Sequence, residues 1–353
     1  MVNCLVGNGI WGRLFSDDAV VSLFSAEAQL GHMLAFETAW TEGLYVLGEI
    51  SEDARDLALH ALETYEPDLH ALAVGSEMDG VPVPAFVRAL RANLPADAWV
   101  GIHHGSTSQD VIDTTLVLIL REAHSLFADR LGEVENKLSD LWFQFGDCDL
   151  MGRTRMQAAL PIGVAARIDA WGRGLAEAAD VLDSAWNACA TVQVGGPVGQ
   201  RDFPTGQGDG LAEFVAKVLD LGVSDVWHTQ RARLTGYGHA MTLVTSALRK
   251  IGIDIALMSQ NERNEIVIKL SGTSSAMPHK SNPINAEALI TLHHYVAAQQ
   301  AMLLHSAGHE QERSGANWAL EWLALPAMVE GTAVSLEKAT HLLSQISAIG
   351  SNK

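Results

Sequence analysis

The sequence predicts an all-α fold, an elongated bundle of long helices. Three observations carry that expectation. Apolar residues recur at alternating steps of four and three over unusually long stretches, strand-type alternation is nearly absent, and the long stretches are rich in alanine and other small residues. Phe127, Leu131, Val134, Leu138 and Leu141 form one such seam. A longer one runs through Leu234, Tyr237, Met241, Val244, Leu248, Ile251, Ile255 and Met258. A seam of this period belongs to a helix packed nearly parallel to its neighbours.

In chain order, residues 1–104 read as an N-terminal helical domain and 105–353 as the long-helix bundle domain. Ser16-Asp17-Asp18 caps a single helix over 19–47, in which Leu23, Ala26, Leu30, Leu34 and Glu37 keep helical spacing. Ser51-Glu52-Asp53 starts another helix, and Gly75, Gly80, Pro82 and Pro84 mark a break. Leu94-Pro95 leads into a loop ending at His103-His104-Gly105. Beyond Asp110 the two seams above, with the proline-free stretches 165–192 and 284–307, give four long helices of about 40 Å at 1.5 Å per residue. Gln345 onward reads as a helix end and a short tail. Helices that are apolar most of the way round are buried on more than one side, so the bundle is expected to be shared between subunits.

Composition narrows the function. The chain has 353 residues, 42 acidic against 23 basic, and a net charge of −19. That argues against nucleic acid and against an anionic membrane surface, and an anionic substrate would need a local cluster of cations. Cys4, Cys148 and Cys189 are odd in number and widely spaced, which reads as reduced thiols in a cytosolic protein. The start lacks a basic segment ahead of an apolar core, and the apolar run from Thr114 to Leu120 is stopped by Arg121. A soluble, cytoplasmic protein is expected.

Four segments carry chemistry. Thr273-Ser274-Ser275-Ala276-Met277-Pro278-His279-Lys280-Ser281-Asn282-Pro283 has no helical or strand period and two prolines five apart, so it is an ordered loop between helices. Its ammonium, amide and hydroxyls suit an anion, although a plain polar connection would use the same residue types. His103-His104-Gly105-Ser106-Thr107-Ser108-Gln109-Asp110 precedes a long helix, whose N-terminus favours a carboxylate. No third metal ligand at familiar spacing accompanies the two histidines, so no metal is expected. Gly152-Arg153-Thr154-Arg155-Met156-Gln157-Ala158-Ala159-Leu160-Pro161 reads as a loop and helix start with two arginines. His309-Glu310-Gln311-Glu312-Arg313 is not a zinc motif, because its fifth position is arginine, and two tryptophans follow at Trp318 and Trp322.

The run from Ser274 to Pro283 resembles the G-S-S-x-M-P-x-K-x-N-P signature of the fumarase/aspartase superfamily, with Thr273 in place of the family glycine and Gly272 one step earlier. The second segment resembles the superfamily H-x-G-x-T-S-x-D motif, and the third G-R-T-H-x-Q-x-x-x-P, with Arg155 where the motif has histidine. The fourth is close to the H-E-R-x-x-G-x-W-x-x-E-W run of the 3-carboxy-cis,cis-muconate cycloisomerase branch. Trp227-His228-Thr229-Gln230-Arg231 and Gly195-Gly196-Pro197-Val198-Gly199 echo superfamily positions more weakly.

The resemblance implies catalytic roles for Ser274, His103 and Lys280, with Ser274 as the carbon acid/base. It implies substrate contacts from Thr107, Ser108, Arg153, Thr154, Arg155, Gln157, Ser275, Met277, Asn282 and Arg313, no cofactor, and a homotetramer in which three subunits build each site. In the lyases the motif histidine acts at the leaving group or the attacking nucleophile. Arginine cannot take that role because it is effectively never deprotonated. In lactone formation the nucleophile is a substrate carboxylate that needs no base, and muconate cycloisomerases likewise lack the histidine. A cycloisomerase acting on a small di- or tricarboxylate, converting 3-carboxy-cis,cis-muconate to a carboxymuconolactone, is therefore the expectation that the resemblance implies. The alternatives are a cycloisomerase for a sulfo-substituted muconate, a fumarate-releasing lyase such as adenylosuccinate lyase, and a structural homologue without activity. Superfamily members usually continue into a small third helical domain, which this chain is expected to lack.

Overall fold

A computed structural model describes residues 10–269, 272–273, 277 and 281–351. Short helices build the first hundred residues: α1 (Gly12–Phe15), α2 (Asp18–Leu23), α3 (Ala26–Val46), α4 (Glu52–Glu63), α5 (Leu69–Asp79) and α6 (Val83–Arg91), followed by a 3₁₀ turn over Ala96–Gly101. Then come α7 (Ser108–Phe145), α8 (Val164–Cys189), the shorter α9 (Gly208–Leu219), α10 (Ala232–Met258), α11 (Ile284–Ser306) and α12 (Ala316–Ser344). Three two-stranded ribbons complete the described residues: β1 (Asp149–Thr154) with β2 (Gln157–Gly163), β3 (Ile266–Ile268) with β6 (Ile346–Ile349), and β4 (Gly272–Thr273) with β5 (Ser281–Asn282). The fold is all-α.

Both predicted seams are buried along their whole length, from Phe127 to Leu141 on α7 and from Leu234 to Met258 on α10. They form one continuous core with apolar faces of α8, α11 and α12. A second core gathers α3, α4 and α6 against Val111 and Leu118 of α7, Val192, Val194 and α9.

Four expectations need correction. Residues 19–47 are two helices, because the Ser25 hydroxyl accepts a hydrogen bond from Ala28 N (3.1 Å) and caps α3 as a separate element, just as Asp17 caps α2. The bundle has a fifth long helix, α12, which carries Pro326 in its interior and so fails a proline-free criterion. The tail is strand β6, antiparallel to β3. Segment 152–161 belongs to a β-hairpin rather than a helix start.

The topology creates two distinct ends. The 38 residues of α7 span about 57 Å. Its N-terminus meets the starts of α10 and α12, where Arg231 reaches Asp113 and Glu321. Its C-terminus leads directly into the β1–β2 hairpin, beside the end of α10 and the β3–β6 ribbon, where Asp149 bridges to Ser351.

Candidate active site

At the α7 start, Thr107 is the N-cap and its backbone N donates to the Asp110 carboxylate (3.1 Å). Asp110, fully buried, also accepts from Gly195 N (2.8 Å), Gly196 N (3.0 Å) and Ser106 Oγ (3.4 Å), and lies 2.9 Å from His228 Nε2. One carboxylate thus ties three chain segments to the first turn of α7. Gly105 in this turn has φ 77°, and a β-carbon there would sit 1.9 Å from the Phe203 ring, so no other residue fits. The packing leaves Thr107 and Ser108 half-buried at the helix N-terminus, where free amides and the helix dipole favour an anion.

His103 is held by Glu37 of α3, a side chain with no exposed surface. Its Nδ1 lies 2.6 Å from Glu37 Oε1, and its backbone N donates to Oε2 (2.9 Å). The His103 backbone is left-handed, at φ 57°. Fixing one ring nitrogen in this way leaves Nε2 with a set direction.

Behind this turn lies a buried ionic core. Arg231 donates to both oxygens of Asp113 (2.7 and 3.0 Å) and to both of Glu321, at Oε1 from Nε (2.8 Å) and at Oε2 from a terminal nitrogen (2.5 Å). Trp318 Nε1 (3.0 Å) and Gln193 Nε2 (3.2 Å) also donate to Asp113. Burial alone would raise the Asp113 carboxyl, but the Arg231 charge and its hydrogen bonds, with that of Gln193, hold it below the ordinary carboxylate range. Burial acts on Arg231 in the opposite direction, and its two carboxylates more than offset it and keep the guanidinium charged. Arg313 sits above this core, exposed, with Nε donating to Gln109 Oε1 (2.9 Å) and a terminal nitrogen to Pro197 O (3.2 Å).

At the other end, the β1–β2 register pairs Thr154 with Gln157, leaving a two-residue loop, Arg155-Met156, with φ of 48° and 67°. Such a turn normally uses Asn-Gly, and two side-chain-bearing residues in the left-handed region cost on the order of 1–2 kcal/mol each. The strain presents Arg155 at an exposed tip, with Thr154 and Gln157 exposed beside it. Arg153 donates to Glu265 Oε1 (2.8 Å), tying the hairpin to the chain entering β3. Gly272 pairs with Asn282 and Thr273 with Ser281 at this same end, and Met277 is exposed.

A family model described as a lyase matches residues 17–297. The chain belongs to this lyase family, within the fumarase/aspartase superfamily. It is 31% identical to a 3-carboxy-cis,cis-muconate cycloisomerase of Pseudomonas putida over 90% of this chain and 77% of that one. It is 30% identical to an N-acetyl-S-(2-succino)cysteine lyase of Enterococcus italicus over 89% of this chain and 70% of that one. The crystal structure of the 3-carboxy-cis,cis-muconate lactonizing enzyme from Pseudomonas putida matches with a TM-score of 0.87 at 30% identity, covering 97% of this chain and 77% of that chain. The protein is an enzyme of the lyase/cycloisomerase type.

Within this lyase-family chain the sequence-predicted residues fall into two groups. His103, Thr107, Ser108 and Arg313 gather at the α7 N-terminus. Arg153, Thr154, Arg155, Gln157, Met277 and Asn282 lie at the hairpin end. Ser274, Ser275 and Lys280 lie outside the described residues, as does Cys4. Sequence reasoning gave no supporting role to Glu37, Asp113, Gln193 or Glu321. For the three acids the available signal was a charge at a helical position otherwise occupied by apolar residues, as Glu37 is between Leu30 and Leu44. Cys189 is buried and its thiol is pushed up to about 12, which makes it chemically inert. Among the described residues no group of three metal-ligating side chains converges, and no helix is long and apolar enough to cross a membrane.

Proposed function

We propose that the protein is a cycloisomerase that closes 3-carboxy-cis,cis-muconate to a carboxymuconolactone. The observation that carries this reading is Arg155, a fixed cation at the hairpin tip in the position where the superfamily lyases have histidine. A guanidinium cannot exchange a proton with a leaving group, but it can clamp a carboxylate through two hydrogen bonds. In the proposed reaction, Thr107, Ser108, Thr154, Arg155, Gln157, Lys280 and Asn282 hold the tricarboxylate. One substrate carboxylate oxygen forms a bond to a carbon of the conjugated diene. The displaced π pair moves onto the carbon next to another carboxyl and delocalises into it as an aci-carboxylate, which the fixed cations and hydroxyls stabilise. Ser274 then gives a proton to that carbon and regains one from solvent, with His103 or Lys280 tuning it.

The two groups of site residues sit at opposite ends of a helix about 57 Å long, so one chain cannot close a site around one small molecule. The proposed enzyme is a homotetramer in which the α7 N-terminus of one subunit meets the hairpin and the Ser274 loop of others. Phe143, Met156 and Leu160 near the hairpin and Leu304 and Leu323 on the bundle, between 59 and 79% exposed, are surfaces such an assembly would cover. A fumarate-releasing lyase is the second reading, favoured by the 30% identity to the N-acetyl-S-(2-succino)cysteine lyase.

Arg155→Ala tests the clamp with carboxymuconate as substrate. The KM is expected to rise about 10- to 100-fold, the loss of one charge-assisted pair, with kcat falling less. An unchanged KM contradicts the clamp.

A further inference from the structure

Arg313 is held more firmly than an exposed side chain needs to be. Its Nε donates to Gln109 Oε1 (2.9 Å) and one terminal nitrogen to Pro197 O (3.2 Å), and no carboxylate among the described residues pairs with it. Gln109 has no exposed surface, and both ends of its amide are used. Its Oε1 takes Arg313 and its Nε2 donates to the His228 carbonyl (2.8 Å). A guanidinium only donates and a carbonyl only accepts, so these neighbours fix the orientation of the amide. An ionised glutamate lacks the N–H for this bridge, and methionine lacks both groups.

The bonds close a ring. Asp110, the next residue in the first turn of α7, accepts from Gly195 N and Gly196 N, and Pro197 of that loop is the second acceptor for Arg313. Asp110 also meets Nε2 of His228, the residue whose carbonyl holds Gln109. Arg313 is thus referenced twice to the turn that carries Thr107 and Ser108, once through Gln109 and once through the 195–197 loop. Two of the five guanidinium N–H groups are spent on this frame, and three remain for a ligand. A cation so oriented, beside a helix N-terminus and without an acid of its own, suits a carboxylate. We propose that Gln109 is a positioning residue: it does not touch substrate, and it turns the Arg313 guanidinium to grip a substrate carboxylate at the α7 N-terminus. The proposal rests on the reading that Arg313 meets substrate.

A double-mutant cycle tests it, with Gln109→Met, which keeps the length and removes both polar groups, Arg313→Ala and the pair. The KM for carboxymuconate is expected to rise about fivefold in Gln109→Met, with kcat within about twofold, and further in Arg313→Ala. The double variant is expected to match Arg313→Ala, because Gln109 acts only through that side chain. A merely structural role would give multiplying effects, since a loosened α7 start weakens Thr107 and Ser108 whether or not Arg313 is present. Arg313→Lys, on an exposed side chain, keeps the test open should Gln109→Met fail to fold. It retains the charge without the planar fork, and is expected to raise KM almost as far as Arg313→Ala. Calorimetric titration of the same proteins with tricarballylate, an inert tricarboxylate, reads the coupling without turnover. Wild type that binds tricarballylate but leaves carboxymuconate unchanged defeats the cycloisomerase reading alone, and the affinity cycle still decides the proposal. Unchanged KM and affinity in Gln109→Met, multiplying effects in the double variant, wild-type behaviour of Arg313→Lys, or no binding of either compound to wild type overturns it.

Discussion

Replacing Ser274 with alanine is expected to lower turnover of carboxymuconate by about 10³-fold while leaving KM within a few-fold of wild type, the range for loss of a positioned proton donor. The expectation follows from the chemistry of the lactone carbon, which must gain a proton from a group held close to it. A second variant, Ser108→Ala, removes a hydroxyl from the α7 N-terminus and is expected to act mainly on KM. Ser108 starts α7, whereas the described residues that flank Ser274 in the chain, Gly272–Thr273 and Ser281–Asn282, pair at the other end of that helix. Mixed by co-expression, the two variants are expected to recover activity well above either parent, because hybrid assemblies contain sites with both wild-type contributions. Activity of the mixture equal to the average of its parents would show that each site is built within one chain.

The second large effect concerns stability. Arg231→Met removes the cation from between Asp113 and Glu321, both fully buried, and is expected to cost about 3–5 kcal/mol in denaturant unfolding. The triple variant that also replaces both acids with apolar residues of similar size is expected to recover much of this, since the penalty comes from stranded charge. The pH dependence has a definite sign. The Asp113 carboxyl is depressed in the folded state, so its contribution is complete above the ordinary carboxylate value near 4 and is lost as pH falls through the depressed value. With Arg231 gone, burial dominates and the acid limb moves to higher pH. Acid unfolding of Arg231→Met that coincides with wild type would contradict this account.

The helical bundle was legible in the sequence because its period is carried by large side chains. The seams of α7 and α10 fill the core at every predicted position. What the period hid were local competitors. Ser25 broke a helix that the apolar spacing ran through, and Pro326 disguised one that it did not break. The hairpin was missed because its turn is Arg-Met, without the glycine or asparagine that announces a two-residue loop. For the site, motifs located the groups proposed to meet substrate, since such groups are polar and are clustered along the chain. The groups that hold them, Glu37, Asp110 and Asp113, meet their partners 66, 85 and 118 residues away, and sequence spacing carries no trace of such pairs.

The most direct test is to mix the purified protein with 3-carboxy-cis,cis-muconate and follow the conjugated-diene absorbance in the ultraviolet. Rapid loss of the band with a lactone as product is the predicted result, since the added carboxylate interrupts the conjugation. An unchanged band, with fumarate released instead from a succinyl compound, would contradict the cycloisomerase reading and place the enzyme among the lyases.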